Sequence, residues 1–136
     1  MSPEQKMVRD FHKKFGAPIA YSPQMISPKD RLRRCRLIQS EAAEFTECAD
    51  KGDLVGMIDA LADLLVVVYG AAIEMGVDLE PFFREVHRSN MTKSQEKDAG
   101  GKIMKGPDYS PPDLESILKR QQECGDWSCS PCETDA

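Results

Sequence analysis

Apolar residues recur at helical spacing through most of the chain, and no stretch shows the two-residue alternation of a convincing strand. Met7, Val8, Phe11 and Phe15 mark a first helix over Met1–Phe15, ended by Gly16 and Pro18. Three prolines and two serines make Ala17–Pro28 a connecting loop. Ser27-Pro28 is a good N-cap and first helical position for a second helix that runs to about Lys51. Gly52 suits its left-handed C-terminal cap, and Asp53 suits the N-cap of the next helix. So short a connection predicts an antiparallel helical hairpin. The third helix continues to about Met75 and stops at Gly76. Asp78 caps a fourth, which tolerates Pro81 in its first turn and reaches about Lys93. A polar loop with Gly100-Gly101 follows, and Ser110-Pro111-Pro112-Asp113 opens a short fifth helix carrying Leu114, Ile117 and Leu118. The pattern therefore predicts an all-α fold, an antiparallel bundle of four main helices plus a short C-terminal one. Residues 1–122 form the domain and 123–136 a cysteine-containing tail, disordered from about Gly125 onward.

Within this pattern Met57–Met75 is apolar almost all the way round, which predicts burial in a larger core. Asp59 and Asp63 interrupt it one helical turn apart, and an unpaired charge in such a place costs several kcal/mol or more. On the preceding helix Glu41 and Glu44 also share a face. Helix rise puts Glu44 about 12 Å and Glu41 about 16 Å from the turn at Gly52. On the returning helix Asp59 and Asp63 lie about 10 Å and about 16 Å up, so the two acidic pairs are level across the hairpin. Four facing carboxylates repel unless a hard cation joins them, and Mg²⁺ or Mn²⁺ favours oxygen ligands. The plainer reading makes Glu41 and Glu44 a solvated face, but it fails for Asp59 and Asp63 among Ile58, Leu61, Leu64 and Leu65.

Charge and cysteine usage narrow the class. A net charge of -5 argues against a general nucleic-acid binder while allowing an anionic ligand held through metal. The N-terminus carries no apolar segment of a secretory signal, and Asp59, Asp63 and Glu74 interrupt the one long apolar stretch, so a soluble cytoplasmic protein is expected. Five cysteines form no even framework, and reduced thiols are the default. Cys129-Ser-Pro-Cys132 resembles half a zinc site, but with only Cys124 nearby as a third thiol it falls short of the four ligands a structural zinc takes, and zinc is not expected. Arg31, Arg33, Arg34 and Arg36 form a basic run on a solvated face, in which Arg34, two turns before Glu41, is a candidate to neutralise phosphate. His12 and His87 lack ligand-like spacing to any acidic pair and are expected to be structural or surface groups.

Glu41 and Glu44, then an aspartate-bearing apolar helix, then HRSNMTK (residues 87–93) and KGPDYSPPDL (residues 105–114) occur in an order that resembles the all-α nucleoside triphosphate pyrophosphohydrolases. This superfamily includes MazG and phosphoribosyl-ATP pyrophosphohydrolase, and the chain is most similar to the small branch like the latter, which includes phage-encoded members. The resemblance spans roughly Phe11–Leu118. It implies hydrolysis of a nucleoside triphosphate to the monophosphate and pyrophosphate with Mg²⁺ as cofactor, in a homodimer or homotetramer whose site is completed across subunits. It implies Glu41, Glu44 and Asp63 as metal ligands, Asn90 and Lys93 near the nucleotide, and Tyr109 bordering the same cleft. Two positions depart from the family pattern. Ser40 stands where many members carry a second glutamate. Ala60 stands three residues before Asp63, where the family has a glutamate, which leaves Asp59, four before, as the replacement ligand on the same face.

The expected function is thus a metal-dependent pyrophosphohydrolase acting on a nucleoside triphosphate, with dGTP or GTP first and dUTP or a modified nucleotide next, and with no nucleic-acid or membrane partner. Phe11, Phe15 and Tyr21 are candidates to contact the base, against packing in the core as the plainer role. The general base stays open, because a carboxylate engaged by metal is a poor one. The competing reading is a non-enzymatic helical dimerisation module whose acids are structural, motivated by the long apolar helix. A di-iron carboxylate bundle ranks last, since neither His12 nor His87 has a glutamate three positions earlier.

Overall fold

A computed structural model describes residues 1–125, so the expected disorder of the tail and the Cys129–Cys132 half-site lie outside the described residues. The elements are α1 (Pro3–Phe15), α2 (Pro28–Lys51), α3 (Leu54–Met75), α4 (Leu79–Asn90) and α5 (Leu114–Cys124). The predicted all-α architecture and its boundaries hold, except that α4 ends at Asn90 rather than Lys93. A single antiparallel bridge, Lys97 to Ile103, is the one β feature among the described residues.

Local chemistry explains the helix ends. Ser27 Oγ accepts from Asp30 N at α2, Asp53 Oδ1 from Gly56 N at α3, and Asp78 Oδ1 from Glu80 N at α4. Gly52 at φ 66° turns the chain back, and Asp53 N donates to Cys48 O at 2.9 Å. One turn into α3, a Cβ on Gly56 would lie 2.6 Å from Cys48 Sγ and 2.5 Å from Asp53 Oδ2. The absence of a side chain there lets α3 run close against α2, which is its most extensive packing partner.

α1 crosses α3 on another side, and α5 packs on α4. Two glutamines pin the α3–α4 turn. Gln5, wholly buried, donates to Val77 O at 2.8 Å and accepts from Leu79 N at 3.0 Å. Gln121 of α5 donates to Asp78 O and accepts from Asp78 N. The α1–α2 loop is laid onto the end of α3 by Ala20 N to Ile73 O and Gln24 N to Met75 O.

The core of the chain is small: Val8, Ala20, Ala60, Ala72, Ile73, Val77 and Ile117. This corrects the expectation that Met57–Met75 is buried on all sides. Leu54, Val55, Ile58, Leu61, Leu65 and Val66 are exposed, because α1 and α2 cover α3 on two sides and leave the remaining face open. Phe11 (53 % exposed), Phe15 (65 %) and Tyr21 are not core residues either; the two phenylalanine rings lie 4.8 Å apart on the outer side of α1. By length and composition α3, with mean hydropathy 1.9, is apolar enough to cross a membrane.

Candidate active site

The carboxylate whose burial the chain compensates internally is Glu74, near the end of α3. Its oxygens accept from Arg34 at 2.6 Å and from Arg33 at 2.8 Å and 3.1 Å. Burial pushes the Glu74 carboxyl upward, but the two guanidinium groups outweigh it and hold the acid below its ordinary value. Arg34 is itself buried and lies 3.5 Å from His12 Nε2, while His12 Nδ1 is 2.8 Å from Pro18 O. The guanidinium passes over Gly70, where an added Cβ would meet Arg34 Nη1 at 2.5 Å. Arg34 is therefore a structural cation joining α1, α2 and α3, and the expectation that it neutralises phosphate is corrected by its buried carboxylate partner. Arg33 likewise leaves the solvated basic run to pair with Glu74 and Asp30. His12 has the structural role expected of it.

The four acids of the hairpin present a different situation. Glu44, Asp59 and Asp63 are exposed, whereas Glu41 is half-buried and its Oε2 is buried without a hydrogen-bond partner. Burial first, and then the charges of Asp63, Glu44 and Asp59, push the Glu41 carboxyl above its ordinary value. The hairpin thus brings the two acidic pairs within electrostatic reach. It does not collect any three carboxylate, imidazole or thiol groups at chelating spacing among the described residues. Ala60 is wholly buried between the two aspartates, with Asp59 and Asp63 exposed beside it. An all-oxygen donor set containing one orphaned, desolvated oxygen fits a hard divalent cation in its chemistry.

A second group of polar residues gathers beyond α4. Asn90 is the exposed last residue of that helix, and Lys93 follows it, half-buried. Segment 109–113 is tied back onto α4 by Ser89 Oγ to Ser110 O at 2.7 Å, Ser110 N to Thr92 Oγ1 at 2.8 Å, and Arg88 to Ser110 Oγ and Pro111 O. This brings Tyr109 beside the helix end. A hydrogen bond with Ser89, helped by the nearby charges of Lys105 and Lys93, holds its phenol below the ordinary tyrosine value against the effect of burial. Lys105 Nζ lies 4.9 Å from the centre of the Tyr109 ring. Lys93 also lines a hollow of about 330 Å³ with Asp98, Lys102, Ile103, Met104 and Lys105.

Glu85 fastens this arrangement. It accepts from Arg88 at 2.8 Å and 2.9 Å and from the N–H of Asp113, the α5 N-cap, at 2.9 Å. Those bonds, Arg88 first, lower its pKa from 4.5 to about 2. A depressed carboxyl stabilises the fold fully above its unfolded value and loses that contribution as pH falls toward its folded value. The melting-temperature difference between wild type and Glu85→Gln is therefore expected to be constant above about pH 5. It should shrink between pH 4.5 and about 2. Thermal melts across that range test it, and a difference that does not change with pH would refute the assignment.

Residue order pointed to Asn90, Lys93 and Tyr109 but missed Lys102, Lys105 and the pairing of Glu74. The same height count that aligned the acids carried a signal for the latter: Arg34 lies about 27 Å from the Gly52 turn and Glu74 about 33 Å, within reach of an arginine.

Residues 8–90 match the family model described as PRA-PH, phosphoribosyl-ATP pyrophosphohydrolase. No curated protein matches the chain. The matched region holds α2, α3 and all four acids and ends at Asn90, before Lys93, the lysine-lined hollow and Tyr109. With more than half of its length covered by this match and an all-helical architecture to go with it, the chain belongs to the phosphoribosyl-ATP pyrophosphohydrolase family, nucleotide pyrophosphohydrolases of the MazG-like all-α superfamily.

Proposed function

We propose that the protein is a divalent-metal-dependent nucleoside triphosphate pyrophosphohydrolase, with Glu41, Glu44, Asp59 and Asp63 holding Mg²⁺ or Mn²⁺. Enzymes of this superfamily are generally dependent on divalent metal. The observation that supports the assignment most is the Glu41 carboxylate, desolvated, repelled by three other acids and left with a partnerless oxygen. Held by these carboxylates, a hard cation would supply positive charge to offset both the acids and a polyphosphate, and would lower the pKa of a bound water. The protein's own contribution is to place the donors on two rigid helices whose spacing is set by Gly56 and the Gly52 turn. Asn90, Lys93 and Tyr109, at the end of α4, are assigned to the nucleotide. Phe11 and Phe15, exposed on α1, are candidates to stack on the base.

The first substrate to test is dGTP or GTP, then dUTP and modified nucleotides. The domain comprises residues 1–122 and acts in the cytoplasm, without nucleic acid or membrane. We assign the open face of α3 to a homodimer or homotetramer. Exposed Leu54, Ile58, Leu61 and Leu65 support contact with another copy, while Asp59 and Asp63 on the same helix would be costly in lipid. The purified protein incubated with a nucleotide panel and Mg²⁺ should release monophosphate and pyrophosphate from at least one member. Failure with every nucleotide would defeat the assignment.

A further inference from the structure

The loop between α4 and α5 is built as a small hairpin. Ser94 N donates to Met104 O, Met104 N to Glu96 O and Asp98 N to Lys102 O, and Gly101 at φ 81° makes the tip. This fold places Lys93, Lys102 and Lys105 around one open hollow of about 330 Å³. The one acid in its lining, Asp98, uses Oδ1 to accept from the N–H groups of Gly100 and Lys102, both at 2.9 Å, so its charge is partly spent on the turn. In a chain of net charge -5 this is a local inversion of sign, the arrangement that concentrates a polyanion. The hollow is poorly suited to a base: no aromatic residue lines it, and the nearby Tyr109 ring already has the Lys105 ammonium over it.

We propose, building on the pyrophosphohydrolase activity, that Lys93, Lys102 and Lys105 form a diphosphate subsite that holds the β and γ phosphates of the substrate and then the pyrophosphate product. Water attacks the α phosphorus, the bond from that phosphorus to the bridging oxygen breaks, and the oxygen leaves with the electron pair as part of pyrophosphate. The released proton passes to solvent. The ammonium groups are point charges suited to the diphosphate, which carries its negative charge in the bound substrate as well as in the product, so they bind ground state and transition state alike. Lys102 and Lys105 lie outside the region matched by the family.

The test is calorimetric titration of the full chain with inorganic pyrophosphate in metal-free buffer, where the acidic residues repel the anion and only a cationic site can hold it. Wild type should bind, and Lys102→Gln/Lys105→Gln should weaken binding at least about tenfold. The Lys102→Arg/Lys105→Arg pair should retain most of it, and Lys29→Gln/Lys119→Gln, on exposed helix positions elsewhere, should stay within about twofold of wild type. In turnover the glutamine pair should raise KM for the triphosphate about tenfold with kcat changed much less, and should leave inhibition by nucleoside monophosphate unaffected. No pyrophosphate binding by wild type, equal weakening by the control pair, or parallel loss of monophosphate affinity would each overturn the proposal. If wild type hydrolyses no nucleotide while pyrophosphate binding still depends on Lys102 and Lys105, the anion site stands and the activity assignment falls.

Discussion

Replacing Glu41 by glutamine is expected to lower nucleotide hydrolysis roughly 100-fold or more, while making the metal-free protein more stable rather than less. The two effects have one origin. The Glu41 carboxyl is pushed above its ordinary value by burial and by the charges of Asp63, Glu44 and Asp59. As pH rises, the unfolded chain gives up this proton before the folded one does, so ionisation costs the fold stability above the unfolded pKa. At neutral pH glutamine removes that repulsion and also removes a ligand from the site. Melting curves in chelator should therefore place Glu41→Gln above wild type, and Mg²⁺ should raise wild type more than the variant. Comparable Mg²⁺ stabilisation of both proteins, or near-normal turnover, would remove Glu41 from the metal site. Asp63→Asn serves as a second variant, because Asp63 is exposed and its replacement carries little packing risk. Functional sites commonly hold such destabilising charge, and its relief by mutation is a signature distinct from simple loss of activity.

The opposite outcome is expected at Glu74. Glu74→Gln should destabilise the fold by about 3–5 kcal/mol, a large share of the total stability of an ordinary domain. The substitution is nearly isosteric, so packing is conserved and the cost is electrostatic. Arg34, buried and held against Gly70 by two helices, loses the partner that bonds it at 2.6 Å and cannot swing to water. Arg33 is less constrained, because it is more exposed and keeps Asp30 at 3.0 Å. Denaturant unfolding gives the direct measurement. The double variant Glu74→Leu/Arg34→Met should recover part of the loss by removing both charges, since a buried pair is costly to break and much cheaper to replace. A Glu74→Gln variant within about 1 kcal/mol of wild type would show that solvent reaches the pair and that Arg34 is free for other work.

These two glutamates show how differently an acid can be carried by the same hairpin. Glu74 is compensated within the chain by Arg34 and Arg33, and its charge is silent. Glu41 meets only other acids among the groups that shift it, and that unresolved repulsion is what supports its proposed assignment to the metal site. The premise from sequence, that Asp59 and Asp63 lie buried in an apolar helix and need a cation, described the wrong residues: the buried carboxylate of α3 is Glu74, and its cations are Arg34 and Arg33. Asp59 and Asp63 escape the premise in the single chain because they face water, so their case rests on proximity to Glu41 instead.

What the sequence by itself determined is local. Ser27, Asp53, Asp78 and Asp113 as N-caps, and Gly16, Gly52 and Gly76 as left-handed stops, mark seven of the ten helix ends among the described residues. Each cap involves groups within five residues of one another, so no knowledge of the tertiary structure is needed. The level pairing of Glu41 and Glu44 with Asp59 and Asp63 was legible for a related reason: a two-residue turn between two straight helices leaves one register, which helix rise alone specifies. Tertiary structure decided the rest. Which side of α3 is covered depends on where α1 and α2 lie, and so the exposure of its leucines could not be counted from composition. Arg34 found Glu74 rather than phosphate because Gly70, 36 positions further along the chain, made room for it. The lysine hollow exists because a short hairpin and the bonds from Ser89, Thr92 and Glu85 fold two loop ends together, contacts between residues that periodicity does not relate.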